Sequence, residues 1–142
     1  DRLLRKWDDR SRGMGRVMEA RMTAVLARLQ NRVATRKLLG EVLKKKTGNL
    51  LRNLRQDQKK SGKIIIGRLF VAAGAIYGRI HEYGGIILPK QSKSLRFPVE
   101  GGWVFARKVV MPQRSYLRST LKEEKDELAK LFKITVVDEL KK

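Results

Sequence analysis

The residues most suggestive of chemistry are His81 and Glu82, which stand side by side in the middle of the chain. A helical zinc-protease motif needs a second histidine four residues after the first, and that position is Gly85. His81 is the only histidine and the chain has no cysteine. A metal site or a Ser-His-Asp triad that includes His81 therefore has few other residues from which it could be built. We therefore predict a structural pair, in which Glu82 binds an arginine such as Arg79 and His81 is hydrogen-bonded or exposed.

Other signatures of catalysis are also missing from the sequence. The glycines do not form a dinucleotide-binding or phosphate-binding loop. Carboxylates are sparse outside the predicted last helix. Few acidic residues are therefore available to form a catalytic pair of carboxylates or to bind two metal ions. We predict that the protein is not an enzyme and that it uses no cofactor and no metal.

The charge of the chain is strongly positive and unevenly distributed. Among 142 residues, 34 are basic and 14 are acidic, which gives a formal net charge of +20. Residues 1–63 and 86–118 hold most of the excess, whereas residues 119–142 are balanced. Such a surface attracts polyanions without reading their sequence. The alternative is that the charge serves solubility alone, although +20 exceeds what solubility requires.

Basic and aromatic residues are interspersed between positions 96 and 108. A cationic surface on which bases stack is one interpretation of this pattern. The alternative, which we favour, is that the aromatic rings belong to the core, because one face of each strand must be buried. The residues concerned are Arg96, Phe97, Trp103, Phe105, Arg107 and Lys108.

The hydrophobic periodicity predicts an α+β fold. Apolar residues from Met14 to Val33 recur at steps of three and four, which indicates an amphipathic helix ending near Gly40. Residues 1–13 are predicted to be an arm or a short helix, separated from the amphipathic helix by the glycines at 13 and 15. No apolar run approaches the ~20 residues that span a bilayer.

Turn signals divide the middle of the chain into strands and one short helix. Thr47 is expected to cap a helical turn, and residues 63–70 to form a central strand because three isoleucines stand near their start. A short helix should end at Gly84-Gly85. A second hairpin should pair 95–99 with 103–110, and Ser115 should cap a last helix. The prediction is one domain over 14–142, with a small antiparallel sheet of two hairpins packed against a long N-terminal and a C-terminal helix.

Three short segments carry a family resemblance. They are Thr47-Gly48-Asn49-Leu50, the stretch from Tyr77 to Gly85 (YGRIHEYGG), and Arg114-Ser115-Tyr116-Leu117-Arg118 after Pro112. In this order and at about this spacing they resemble the minor tail proteins of long-tailed bacteriophages, which are the tail-completion and head–tail joining proteins. The resemblance covers about residues 14 to 135. That family often has a second proline and a phenylalanine where this chain has Ser115 and Tyr116.

The resemblance implies a structural virion protein. It also implies an edge strand near 53–59. Tail completion or tail termination would be the role, and a homo-oligomeric ring, expected to be hexameric, would join the tail tube protein to the head–tail connector proteins. Double-stranded DNA would pass through the lumen without sequence preference, with no membrane involved. The location would be the head–tail junction of the virion, after assembly in the host cytoplasm.

Two groups of residues follow from this interpretation. The resemblance implies that the first group lies near the contact between subunits: Tyr77, Glu82, Tyr83, Gly84, Gly85, Arg114 and Tyr116. The second group is expected to face DNA: Lys44, Lys45, Lys46, Lys90, Lys93 and Arg96. The alternatives are a free protein that binds nucleic acid without sequence specificity and, third, a toxin-type nuclease that needs a divalent metal.

Overall fold

A computed structural model describes residues 2–43, 48–62, 64–73, 75 and 77–141 of the chain. Thr47, Lys63 and the lysines at 44–46 lie outside the described residues. The elements, in order, are helix α1 (Arg2–Arg32), a π-helical segment (Val33–Glu41), α2 (Asn49–Arg52), β1 (Leu54–Ser61), β2 (Ile64–Val71), α3 (Gly78–Tyr83), β3 (Gly85–Ile87), β4 (Leu95–Val99), β5 (Gly102–Ala106), β6 (Val109–Met111) and α4 (Leu117–Leu140). The predicted α+β class, with its long N-terminal helix, hairpins and C-terminal helix, is confirmed.

Helix α1 is longer than the sequence indicated. The glycines at 13 and 15 were expected to interrupt it, but the helix runs through both from Arg2. A helical glycine costs only about 1 kcal/mol relative to alanine, which neighbouring good helix formers offset. The first residues of α1 stay exposed, including Leu3, Leu4 and Trp7, so this arm of the helix contributes nothing to the core of the described chain.

The β1–β2 hairpin packs on α1 at a point where a side chain would fit only if Met22 and Leu26 moved. Gly67 of β2 faces the helix, and a Cβ at that position would lie 2.6 Å from the Met22 sulfur and 3.1 Å from a Leu26 methyl carbon. Glycine therefore allows the strand to approach the helix closely. The register pairs Leu54 with Val71 and Ser61 with Ile64.

The sheet is divided into three separate two-stranded pairs. Among the described residues, β1 pairs with β2, β4 with β5, and β3 with β6. The predicted strand at 103–110 is thus split at Arg107, because its second part leaves the hairpin to pair with β3. The prediction of a central strand at 63–70 was wrong for the described residues: β2 pairs with β1 alone, and Ile64 and Ile66 are exposed.

Two buried clusters hold these elements together. One joins the π-helical segment to the hairpin and to the start of α4, and consists of Val33, Leu38, Leu43, Leu54 and Tyr116. The other joins α1 to α4 through Val25, Leu29 and Leu128. The apolar stripe of α1 therefore serves as core along its C-terminal half, as its spacing predicted.

Ion pairs connect α1 and α4 beside the second cluster. Guanidinium nitrogens of Arg28 and Arg32 each lie 2.8 Å from a carboxylate oxygen of Glu124, which is buried. Lys37 is also buried, and its Nζ atom lies 2.7 Å from a carboxylate oxygen of Glu123. Two acidic residues early in α4, Glu123 and Glu124, thus bind cations of the N-terminal helical region. Arg28 and Arg32 are consequently both paired with a carboxylate of their own subunit.

Candidate functional site

The three segments of the family resemblance lie apart along the chain but meet in space at Gly78. A Cβ at Gly78, in the second segment, would lie 3.1 Å from the Leu50 side chain of the first and 3.1 Å from the Tyr116 hydroxyl of the third. That hydroxyl donates a hydrogen bond to the Gly78 carbonyl at 3.1 Å. The absence of a side chain at Gly78 therefore lets the segments touch.

The carboxylate of Glu82 is the centre of this cluster. It accepts hydrogen bonds from the backbone N–H groups of Tyr116, Leu117 and Arg118 at 2.8, 2.9 and 3.0 Å. The Ser115 hydroxyl and the Arg118 Nε also donate to it, at 2.7 and 3.1 Å. The first N–H groups of a helix have no partner inside the helix, and a carboxylate there also complements the helix dipole. Glu82 thus caps α4 from a distant part of the sequence.

Two predictions from the sequence about this site differ from the structure. Glu82 was expected to bind an arginine such as Arg79, and the arginine it binds is Arg118. Ser115 was expected to cap the last helix, and its hydroxyl accepts only a long bond, 3.3 Å, from the Ser119 N–H. Most of the capping comes from Glu82, because a carboxylate with two oxygens can accept from several N–H groups at once.

The surroundings of Glu82 hold it in the ionised form. Burial by itself would raise its pKa, but the hydrogen bonds from the Leu117 N–H, the Ser115 hydroxyl and two further backbone groups outweigh burial and lower the pKa below its ordinary value. Burial, and secondarily the Glu82 charge, raise the pKa of the Tyr116 phenol. Both groups therefore keep a fixed protonation state near neutral pH, as structural groups do.

The side chain of His81 is partly buried beside this network. Its Nδ1 is buried and has no hydrogen-bond partner among the described residues. Burial and, to a lesser extent, the charge of Arg114 lower its pKa, so the ring is neutral at pH 7. In the described part of the chain, no three His, Cys, Asp or Glu side chains are grouped so that they could hold a metal ion.

The turn after α3 is fixed by backbone contacts. Gly84 has φ of +70°, and a Cβ there would lie 2.9 Å from the Gln113 nitrogen. The Arg114 N–H donates to the His81 carbonyl at 2.8 Å. A glycine is required at position 84 both for the left-handed conformation and for the close approach of the segment before α4.

The residues predicted to contact a neighbouring subunit differ in how far they are exposed. Glu82 and Tyr116 are 3% and 1% exposed, and their polar groups are satisfied inside the subunit. Gly84 is partly buried against the segment before α4. The contact between subunits stays a prediction, and the members of the group that lie at the surface are Tyr77, Tyr83, Gly85 and Arg114.

The β4–β5 hairpin carries an exposed aromatic surface that the sequence interpretation assigned to the core. Trp103 is 55% exposed and Phe105 is 63% exposed, so the core assignment was wrong for both; Phe97 is partly buried. The Arg96 guanidinium lies 3.9 Å from the centre of the Trp103 ring and 6.0 Å from that of Phe105. The interspersed aromatic and basic residues of this stretch were the available signal for this surface.

The residues predicted to face DNA are only partly described. Lys90, Lys93 and Arg96 are exposed on β4 and on the loop before it. Lys44, Lys45 and Lys46 lie outside the described residues. No helix in the described ranges is both long enough and apolar enough to cross a membrane.

Comparisons with protein-family models, with curated proteins and with solved structures find no match for this chain.

Proposed function

We propose that this chain is a structural protein of a tailed-phage particle and acts at the head–tail junction. Subunits form a ring, expected to be hexameric, between the tail tube protein and the connector proteins, and DNA passes through the lumen. Such a role needs shape, symmetry and charge and no catalytic residue.

The observation that carries this proposal is the convergence of the three resembling segments on Gly78, Glu82 and Tyr116. The resemblance rests on the order of short segments that are individually unspecific. The lack of space for a Cβ at Gly78, the Tyr116 hydrogen bond to its carbonyl and a carboxylate that accepts from five donors supply a physical reason for the residue types at those positions. The agreement between sequence pattern and packing supports treating the segments as one structural unit.

The distribution of charge supports a lumen that holds DNA. Exposed lysines and arginines bind phosphates without reading bases, which suits a channel through which a whole genome moves. Lys90, Lys93 and Arg96 lie on one exposed stretch that ends in β4. We assign the contact with DNA to this stretch and to the lysines at 44–46.

A second candidate function is binding of nucleic acid by the free protein. The exposed pair of Arg96 and Trp103 favours it, since bases stack on aromatic rings and on guanidinium planes. In this case the protein would act as a monomer and would prefer single strands, whose bases are free to stack.

Electron microscopy and native mass measurement distinguish the two functions. The proposed role predicts a symmetric ring, either in solution or after incubation with isolated tail tubes that supply a template. The second function predicts monomers that bind single-stranded nucleic acid tightly. Monomers at every concentration that also fail to join tail tubes would refute the proposed role.

Adding a Trp103→Ala variant separates the contributions to nucleic-acid binding. Under the second function this change weakens binding to single strands by about 1–3 kcal/mol, the usual worth of one stacked base. Under the proposed role the contacts are made to phosphates, so the change leaves the binding of single strands and of double-stranded DNA nearly unchanged. Val110→Ala is the matched control, because Val110 is also an exposed apolar residue on a short strand.

A further inference from the structure

A groove of about 550 Å³ runs along the free edge of β2. Five consecutive residues of that strand, 67–71, line it, and no residue of β1 does. Side chains alternate between the two faces of a strand, so a lining of consecutive residues places the groove at the edge and not on one face. Within the described ranges, β2 pairs with β1 alone, and the backbone groups of the other edge are open to a further strand.

The walls of this groove are mostly apolar, with Glu82 and Thr120 among the lining residues, and its rim is basic. Leu117 and Leu121 of α4 line it, together with Tyr83 of α3. The Arg118 guanidinium lies 4.4 Å from the centre of the Tyr83 ring. Phe70, Tyr83 and Leu121 are all substantially exposed, so apolar surface at the rim remains uncovered in the single subunit.

Strand β5 is exposed on both faces, as expected of a strand that could enter such a groove. Trp103 and Phe105 lie on one face and Val104 on the other, and all three are exposed. Within the described chain β5 pairs only with β4. β5 contains no proline, whereas β4 contains Pro98, which cannot donate to a ladder. β5 is therefore the better strand of this hairpin to add to another sheet.

We propose that the groove beside β2 in one copy receives β5 of a second copy as an added strand. This inference rests on the proposed ring, for which it names the contact. The two surfaces differ and every copy has one of each, so the contact is head-to-tail and closes into a ring when the rotation permits. Main-chain hydrogen bonds would supply affinity, and Trp103 and Phe105 would supply the apolar contact.

The area available makes a single contact weak. The exposed parts of Trp103, Val104 and Phe105 amount to on the order of 300 Å² of apolar surface. A stable interface buries about 800 Å² on each partner. Each subunit of a closed ring makes two such contacts. The contact that closes the ring forms within one assembly, so it does not require a further subunit to be captured from solution. Isolated copies are thus expected to associate weakly and rings to persist once closed.

The charges oppose this contact at low salt. Arg79 lines the groove and has no ion-pair partner among the described residues, whereas the other two lining arginines, Arg68 and Arg118, are paired with Asp57 and Glu82. Arg96 lies on β4, beside the strand that would enter the groove. Salt screens such repulsion, since the screening length falls to about 3 Å at 1 M. Association of two copies should therefore increase with salt, whereas binding of an acidic strand from another protein should decrease.

Disulfide cross-linking tests the contact directly because the natural chain has no cysteine. Acceptor variants carry Arg68→Cys or Phe70→Cys, and donor variants carry Val104→Cys or Ala106→Cys. Paired strands bring opposite Cα atoms within the distance that a disulfide spans. Each acceptor is mixed with each donor under oxidising conditions at low and high salt, and Val110→Cys on β6 replaces the donor as a matched control.

The expected result is a cross-linked heterodimer for at least one donor–acceptor pair, in a yield above the Val110→Cys control and rising with salt. Phe105→Ala in the donor should lower that yield. Yields equal to the control would overturn the inference, and if electron microscopy still shows rings the proposed function survives with a different contact. Binding of an acidic β-forming peptide to the groove, together with cross-link yields no higher than the control, would assign the groove to a foreign strand and also overturn it.

Discussion

Replacing Glu82 with glutamine should destabilise the protein severely while preserving the size of the side chain. The carboxylate receives five hydrogen bonds, three on one oxygen and two on the other. Glutamine keeps one oxygen and replaces the other with an NH₂ group, which cannot accept. At least two donors then lose their partner, and each buried donor left unpaired costs about 1–3 kcal/mol, so the expected loss in the free energy of unfolding is about 2–6 kcal/mol.

Urea denaturation measures this loss, provided that the dependence on denaturant stays the same in both proteins. Glu100→Gln is the matched control, because it makes the same chemical change on an exposed turn and should alter stability by less than about 0.5 kcal/mol. A loss below about 1 kcal/mol for Glu82→Gln would refute the argument that this carboxylate organises the start of α4.

The acid sensitivity of the same group gives an independent check. The pKa of Glu82 is lower in the folded state than its ordinary value of 4.5, so the unfolded chain binds the proton more readily. The stabilisation is therefore fully present above about pH 4.5 and is lost as the pH falls through the lower folded value. Glu82→Gln should flatten that part of the stability profile, and an unchanged acid limb would contradict the assignment.

The remaining predictions concern the histidine, the helix–strand contact and the charge. The pKa of His81 is lowered from 6.5, so the unfolded chain binds the proton more readily and stability should begin to fall below that pH. His81→Gln should remove this step in a pH series of urea midpoints, and a step that persists in the variant would assign it to another group. Gly67→Ala should cost about 1–3 kcal/mol in the free energy of unfolding by overpacking against Met22. Gly13→Ala is its control, because a Cβ there meets nothing and should not destabilise the helix; equal urea midpoints for the two variants would argue against the close contact. Lys90→Gln and Lys93→Gln should each lower the salt slope of DNA binding by about one without altering sequence preference, and an unchanged slope would place DNA elsewhere.

Periodicity and turn chemistry were sufficient to predict several elements of the fold, but not the start of α1, the separate strand β6, or β1, which only the resemblance implied. The three- and four-residue spacing in α1, the hairpin turn that includes Gly101 and the end of α3 at Gly84 all appear where the sequence placed them. These features depend on local backbone preferences and on which side of an element is apolar. Local sequence carries both kinds of information.

The sequence also limited the available chemistry through its composition alone. One histidine, no cysteine and few carboxylates outside the last helix left little material for a catalytic or metal site. The excess of basic residues pointed to polyanions as partners. These conclusions follow from residue counts, which folding does not change.

Tertiary structure decided which partner each polar group meets and which apolar residues remain exposed. Glu82 caps a helix whose first residue, Leu117, lies 35 positions later, and no local pattern reports such a long-range contact. Trp103 and Phe105 have the alternation of a buried strand, yet they are exposed because no other element in the described part of the chain packs substantially on their hairpin. Strand spacing specifies two faces, but only the arrangement of the other elements determines whether either face is covered.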